Sequence, residues 1–137
     1  MPAAPSPPDT ISGSSDTGPC PQVWIRNGGR CYFFSSAEKT WDASQTNCST
    51  QGGFLVAMDT PEERDFVFGS QPPTYFWLDA CKEDVGKPWK RADGSLFNNT
   101  FPIVGEGLCA YMNERTPSST WCDSNRQWIC TKPEDSF

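Results

Sequence analysis

The sequence contains no histidine, the side chain that most often acts as a general base or as a neutral metal ligand. It also lacks a Cys-x-x-C pair, so a structural zinc site would need cysteines at spacings that zinc ribbons do not use. No glycine-rich phosphate loop and no serine nucleophile motif is present. These absences predict a protein that is not an enzyme and that holds no metal or cofactor.

Long apolar runs and an excess of positive charge are missing as well. The longest apolar stretch, residues 54–58, is far shorter than the roughly 20 residues that a membrane-spanning helix needs. The net charge of -6 argues against nucleic acid or an anionic membrane as the partner, because both bind clustered Lys and Arg. We therefore expect neither of these partners.

The first 19 residues are rich in Pro, Ser, Gly, Asp and Thr, which predicts a disordered stalk. They lack the charged and apolar regions of a signal peptide. Since the cysteine content is typical of an oxidising compartment, we expect an extracellular fragment whose anchor or signal lies outside this chain. The globular domain is predicted at residues 20–133, followed by a short tail at 134–137.

Seven cysteines are present in the 137 residues. Six of them have spacings typical of a disulfide frame: Cys20, Cys31, Cys48, Cys109, Cys122 and Cys130. Sequence alone leaves many pairings open. The seventh, Cys81, precedes three charged residues that predict an exposed turn, and it is either a buried free thiol or a link between two chains.

The first third of the globular part predicts a hairpin and two helices. Residues 23–25 and 30–34 read as strands joined by Asn27-Gly28-Gly29. Thr40 is expected to cap a helix that runs to about Gln51. Thr60 is expected to cap a second helix that ends near Gly69, with Glu63 reaching back to the amide of Thr60.

The remaining segments predict strands with long loops. Strands are expected at residues 54–58, 75–78, 108–113, 120–123 and 127–131, with turns at 92–95, 115–118 and 124–125. The last three strands are predicted to form a meander. Helices followed by strands indicate an α+β domain.

Several motifs, in their order and spacing, resemble a C-type lectin-like domain over residues 20–133. They are Cys31-Tyr32-Phe33-Phe34, Trp41 with Cys48, Phe76-Trp77-Leu78, Cys109 with Cys122, and Trp128-Ile129-Cys130. Other segments resemble the natural-killer-complex branch, and most of all C-type lectin domain family 2. They are Lys87-Pro88-Trp89-Lys90, Phe97-Asn98-Asn99-Thr100-Phe101, Cys109-Ala110-Tyr111-Met112-Asn113 and residues 126–133.

This resemblance implies two helices, antiparallel sheets and a long loop, stapled by disulfides. The implied pairs are Cys20–Cys31, Cys48–Cys130 and Cys109–Cys122. It also implies a type II membrane protein at the outer face of the plasma membrane, often dimeric; secretion is the second arrangement. In the long loop, Phe101, Ile103 and Val104 are expected to anchor into the core.

Sugar-binding relatives of the resembled family hold calcium with two acidic or amide triplets. Here the long loop reads Phe97-Asn98-Asn99-Thr100-Phe101-Pro102 and the second position reads Thr116-Pro117-Ser118, so neither carries a carboxylate. Calcium needs six to eight oxygen ligands, mostly carboxylates and amides. We therefore expect no calcium site, although a carbohydrate-binding lectin stays the alternative function.

The resemblance instead implies recognition of another lectin-like receptor through the face around the penultimate cysteine. The residues that this assigns to partner binding are Tyr111, Asn113, Arg115, Asp123, Asn125 and Arg126. Aromatic, amide and Arg side chains are enriched in protein interfaces, but polar residues also alternate along any solvent-facing strand. Two glycosylation sequons are present, at Asn98 in a loop and at Asn47, where the expected burial of the adjacent Cys48 on a helix disfavours modification.

Overall fold

The computed structural model describes residues 20–21, 23–58, 60–97 and 102–134. It confirms an α+β fold of two helices and seven strands in these residues. The elements are β1 (Ile25–Asn27), β2 (Arg30–Phe34), α1 (Trp41–Ser49), β3 (Phe54–Leu55), α2 (Pro61–Gly69), β4 (Tyr75–Cys81), β5 (Cys109–Asn113), β6 (Thr116–Thr120) and β7 (Gln127–Pro133). The predicted stalk at 1–19 and most of the tail, residues 135–137, lie outside the described residues.

The sheet has the order β1-β2-β7-β4-β5-β6, and β3 pairs with β7. The predicted meander of the last three strands is wrong, because β4 lies between β7 and β5 and pairs with β7 in parallel. β7 occupies this central position because its successive side chains, Trp128, Ile129 and Cys130, are all buried. A strand buried on both faces belongs inside a sheet, not at its edge.

The strand after β5 begins four residues earlier than predicted. Thr116–Thr120 forms β6, and the preceding turn has Glu114 at a φ of 59°. The sequence predicted a turn at 115–118 because of Pro117. At the edge of a sheet, however, proline is tolerated in a strand since its missing N–H does not interrupt a ladder. The predicted strand at 120–123 is therefore wrong, and Cys122 lies beyond the sheet.

The first hairpin and both helices follow their local sequence signals. Asn27 pairs with Arg30, and Gly28 and Gly29 form the two-residue turn with φ values of 59° and 82°. A two-residue hairpin turn whose twist matches that of the strands has a positive φ at both residues. These residues are Gly28 and Gly29, so the turn lies one residue later than the Asn27-Gly28 pair predicts. The first strand likewise begins at Ile25, two residues after its predicted start.

Threonine hydroxyls cap both helices. Thr40 Oγ1 accepts from the N–H of Ala43 at 3.2 Å, and Thr60 Oγ1 accepts from the N–H of Glu63 at 3.1 Å. The Glu63 carboxylate reaches past Thr60 and accepts from the N–H of Met58 at 2.9 Å and from the hydroxyl of Tyr32 at 2.7 Å. α2 has the predicted bounds, whereas α1 ends two residues before Gln51.

Buried side chains form two clusters on opposite faces of the sheet, because successive residues of a strand point to opposite sides. The first core cluster contains Tyr32, Val56, Ala57, Met58, Val67, Phe76, Leu78, Ala80, Phe97, Ala110, Met112 and Ile129. The second core cluster contains Trp24, Cys31, Trp41, Cys48, Leu55, Trp77, Cys109, Trp128 and Cys130. α2 contributes to the first cluster and α1 to the second.

Three disulfides join the pairs that the resemblance implies: Cys20–Cys31, Cys48–Cys130 and Cys109–Cys122. Cys81 is a free thiol, but it is half-buried at the end of β4 and not in an exposed turn. The buried strand simply continues three residues further than the apolar run 75–78. Neither described helix is long and apolar enough to cross a membrane.

Candidate functional site

An open groove of about 610 Å³ lies where β4, β5 and the start of β7 meet the segment before α1. We call it the tyrosine–arginine groove. Its lining residues are Glu38, Thr74, Tyr75, Tyr111, Asn113, Asn125, Arg126 and Gln127. The groove therefore combines two aromatic rings, one guanidinium, one carboxylate and three amide side chains.

The aromatic wall of the groove is set by the register of β4 and β5. Tyr75 pairs with Asn113, and Trp77 pairs with Tyr111, so all four side chains lie on the face of the second core cluster. The ring of Tyr111 lies 6.2 Å from that of Trp77 and 6.3 Å from that of Tyr75. The Tyr111 ring thus packs against the fully buried ring of Trp77, while Tyr75 is 46% exposed.

Arg126 supplies the positive charge of the groove. Its Cζ lies 4.8 Å from the Tyr111 ring centroid and 6.0 Å from that of Tyr75, within the range of cation–π attraction. Nη1 donates to the carbonyl of Asn125 at 2.9 Å. Nε is buried without a hydrogen-bond partner among the described residues. The guanidinium is held against the aromatic wall by its neighbours and is neutralised by no carboxylate within the described part of the chain.

Backbone pairing fixes the position of Arg126. Its N–H donates to the carbonyl of Lys39 at 3.0 Å, and the N–H of Lys39 donates to the carbonyl of Arg126, also at 3.0 Å. Next to it, the Gln127 side chain donates to the carbonyl of Ser35 at 2.9 Å. These bonds connect the start of β7 to the segment before α1. The groove is consequently formed before a partner binds, so little conformational entropy is lost on binding.

The groove brings together four of the six residues predicted to bind a partner: Tyr111, Asn113, Asn125 and Arg126. Arg115 lies elsewhere, with its guanidinium 4.6 Å from the Phe68 ring of α2. The left-handed turn at Glu114 separates Arg115 from the face that carries Asn113. Asp123 is exposed but does not line the groove.

Sequence reasoning missed Tyr75, Glu38 and Gln127. Tyr75 begins a strand whose next five residues are buried, so its pattern indicates core, not surface. One signal for a surface position was available. Tyr75 is the first residue of the strand, on the same face as Trp77 but before the buried part begins. Trp121, with 73% of its surface exposed, was also missed, and it precedes the segment that carries Asn125 and Arg126.

The long loop and the sequons agree with prediction in part. Ile103 packs against the first core cluster as expected. Val104 does not, since its side chain is 51% exposed. Only its backbone is bonded: its N–H donates to the carbonyl of Pro117, and its carbonyl accepts from the hydroxyl of Ser119. Phe101 lies outside the described residues. So does Asn98, while Asn47 is half-exposed on α1 and its side-chain oxygen accepts from Gln51 at 3.1 Å.

The second position that sugar-binding relatives use for calcium lies in the edge strand β6. Thr116, Pro117 and Ser118 there present no carboxylate, and Ser118 is buried. Glu106 and Glu114 are exposed. Across the described residues no three His, Cys, Asp or Glu side chains are grouped so that they hold a metal ion.

The sequence matches a model of the lectin C-type domain over residues 37–132. Human C-type lectin domain family 2 member D is 35% identical over 115 residues, which cover 84% of this chain and 60% of that protein. Human early activation antigen CD69 is 30% identical over 124 residues, which cover 90% of this chain and 62% of that protein. The chain thus spans about three fifths of the length of these relatives.

Two solved structures share the architecture. The carbohydrate-recognition domain of mouse scavenger receptor C-type lectin has a TM-score of 0.73 at 20% identity, over 86% of this chain and 99% of that one. A calcium-independent type II antifreeze protein has a TM-score of 0.73 at 22% identity, over 88% and 98% of the two chains. At such low identity these similarities establish the fold alone.

Proposed function

The chain belongs to the lectin C-type domain family, and from this premise we propose that it is the extracellular binding domain of a cell-surface protein. Its partner is another protein, of the lectin-like natural-killer receptor class, and binding needs no calcium. The similarity to C-type lectin domain family 2 member D and to CD69 supports this assignment. We further propose that the domain carries out no catalysis and that the protein has a type II membrane topology.

The observation that carries the proposal is the stacking of Arg126 on Tyr111 and Tyr75 in an open groove. Tyr and Arg are among the residues that contribute most binding energy at protein interfaces. Tyr offers a large rigid surface with few rotatable bonds, so little side-chain entropy is lost when a partner covers it. The surrounding amides of Asn113, Asn125 and Gln127 match the polar rim of such interfaces.

Calcium independence is supported by the chemistry of the second candidate position. A threonine, a proline and a buried serine occupy the place where sugar-binding relatives supply carboxylate and amide ligands. The only acidic side chain that lines the groove among the described residues is Glu38. One carboxylate provides far fewer than the six oxygens that calcium requires.

The proposal is tested by binding of single variants to a panel of lectin-like natural-killer receptor ectodomains in surface plasmon resonance. We expect at least one receptor to bind in EGTA as well as it does in calcium. Arg126→Ala and Tyr111→Ala should each weaken that binding by about tenfold or more, since removal of such an anchor costs about 1.4 kcal/mol or more. The matched control is Arg115→Ala, which removes an arginine that stacks on Phe68 and lies outside the groove.

Two results would contradict the proposal. The first is equal loss of binding in Arg115→Ala and Arg126→Ala, which would mean that the groove has no special role. The second is binding on a glycan array that disappears on chelation, which would establish the carbohydrate-binding alternative.

A further inference from the structure

Three cysteines lie close together where β4 meets β5. Cys81 is the cross-strand partner of Cys109, and Cys109 is bonded to Cys122. Directly paired residues of an antiparallel ladder point to the same side of the sheet. Cys81 and Cys122 both pack against the second core cluster, which contains Cys109. The free thiol therefore adjoins a disulfide and is not an isolated cysteine.

The hydrogen bonds around this pair define its spacing. Lys82 N–H donates to the carbonyl of Leu108 at 2.9 Å, whereas Cys81 N–H turns to the other side and donates to Lys90 at 2.8 Å. Cys81 and Cys109 thus form a non-hydrogen-bonded pair, for which the Cα atoms are about 4.5 Å apart. A disulfide spans roughly 4.4 to 6.8 Å between Cα atoms. The usual Cα spacing of such a pair therefore falls within the range that a disulfide spans.

We propose that Cys81 undergoes thiol–disulfide exchange with the Cys109–Cys122 bond, so that this domain has two interchangeable disulfide isomers. The Cys81 thiol gives its proton to solvent, and its thiolate attacks Sγ of Cys109. The Cys81–Cys109 bond forms, the Cys109–Cys122 bond breaks, and Cys122 leaves as a thiolate that takes up a proton. One disulfide is exchanged for another, so no oxidant or reductant is consumed.

The environment of Cys81 makes the exchange slow. Burial raises the pKa of the Cys81 thiol, and the carboxylates of Asp79 and Asp42 raise it further. The thiolate is the attacking species, so a high thiol pKa keeps the reactive fraction small. The isomer with the Cys109–Cys122 bond therefore persists for long periods. A small thiol such as glutathione opens a second route: its thiolate attacks Sγ of Cys109 and releases Cys122, and the Cys81 thiolate then displaces glutathione from Cys109.

Release of Cys122 changes the segment that leads to the tyrosine–arginine groove. The Cys122 carbonyl accepts from the N–H of Trp41 at 3.3 Å. The segment that follows it, residues 123–126, ends with the groove residues Asn125 and Arg126. Without its disulfide, this segment loses its covalent cross-link to β5, and the contact of Arg126 with the Tyr111 ring remains. A consequence for partner binding rests on the proposed function of the groove, whereas the exchange itself does not.

Peptide mapping tests the exchange without any partner. The protein is incubated in a buffer of reduced and oxidised glutathione, alkylated with N-ethylmaleimide, and digested with trypsin without reduction. The three cysteines fall in separate tryptic peptides, residues 65–82, 92–115 and 116–126. We expect a fraction of molecules in which peptide 65–82 is linked to 92–115 and the label has moved from Cys81 to Cys122.

A trapping variant and a matched control complete the experiment. In Cys122→Ser, oxidised glutathione should oxidise the Cys81 and Cys109 thiols to a Cys81–Cys109 bond and be reduced itself, while Cys20–Cys31 and Cys48–Cys130 stay intact and report correct folding. In Cys81→Ser, Cys122 should remain unlabelled under every condition. Labelling confined to Cys81 in the unmodified chain, or free Cys81 and Cys109 thiols in folded Cys122→Ser, would overturn the inference. Either result would leave the receptor-binding measurements unaffected.

Discussion

The two core clusters occupy opposite faces of one sheet and use different chemistry. The first consists of aliphatic, Met and Phe side chains with Tyr32 at its edge, and it contains no disulfide. The second includes four tryptophans, and all three disulfides lie within it or against it. One face is therefore stabilised by burial of apolar area, and the other by covalent links as well.

This difference indicates where the molecule can carry function. Tyr111 packs against the second cluster and faces the groove, so the cross-linked face supports the candidate binding surface. The proposed exchange of Cys81 also belongs to this face.

The largest effect is expected from removal of the disulfide between α1 and β7. Cys48 and Cys130 are 82 residues apart in sequence, so the double substitution to Ala should lower the free energy of unfolding by about 4 to 5 kcal/mol. Removal of Cys20–Cys31, which are 11 residues apart, should cost about 3 kcal/mol. Urea unfolding followed by tryptophan fluorescence measures both. Equal losses would show that loop length does not govern stability on this face.

A cavity in the first cluster should have the next largest effect. Leu78 is fully buried, and Leu78→Ala should lower the free energy of unfolding by about 2 to 5 kcal/mol. Leu96→Ala is the matched control because Leu96 is 68% exposed, and its cost should stay within about 0.5 kcal/mol. The three disulfides should form normally in both variants. A small loss for Leu78→Ala would mean that covalent links stabilise both faces.

Tryptophan N–H groups allow a comparison within the second cluster. Trp41 Nε1 donates to the carbonyl of Leu78 at 2.8 Å, while Trp128 Nε1 is buried with no partner among the described residues. Substitution to Phe removes the same atoms at both sites. Trp41→Phe should cost about 1 to 3 kcal/mol more than Trp128→Phe, because it alone leaves a buried carbonyl unsatisfied. Thermal denaturation of the two variants side by side provides the measurement, and equal melting temperatures would contradict this expectation.

Much of the fold could be predicted from the sequence because its signals are local. Thr60, Pro61 and Glu63 specify the start of α2 within four residues, and Gly28 and Gly29 specify a tight turn. The order of the strands could not be predicted in this way. β7 pairs in parallel with β4, and that contact joins residues about 50 positions apart. Pro117 was misread because its place at a sheet edge depends on the same long-range order.

The sequence predicted only part of the candidate site, again because some of its contacts depend on how distant strands pair. Tyr111 and Asn113 lie on one strand beside Cys109, and Asn125 and Arg126 follow Cys122, so each pair could be found from motifs. Tyr75 has no such motif, and its contact with Tyr111 depends on the register of β4 against β5. Arg115 lies outside the groove because one left-handed residue, Glu114, turns the chain toward α2, and its assignment to partner binding stays a prediction.

The smallest expected effect concerns the caps of the two helices, one on each face. Thr60→Ala removes the acceptor for Glu63 N–H, and Thr40→Ala removes the acceptor for Ala43 N–H; each should cost about 1 kcal/mol. Thr60→Ser and Thr40→Ser keep the hydroxyl and serve as controls that should lose far less. The two helices should lose stability over different lengths of chain, because α1 is linked to β7 through Cys48 and α2 has no disulfide. Amide hydrogen exchange should therefore accelerate throughout α2 in Thr60→Ala but only in the first turn of α1 in Thr40→Ala. Equal acceleration along both helices would show that the cross-link does not restrain local opening.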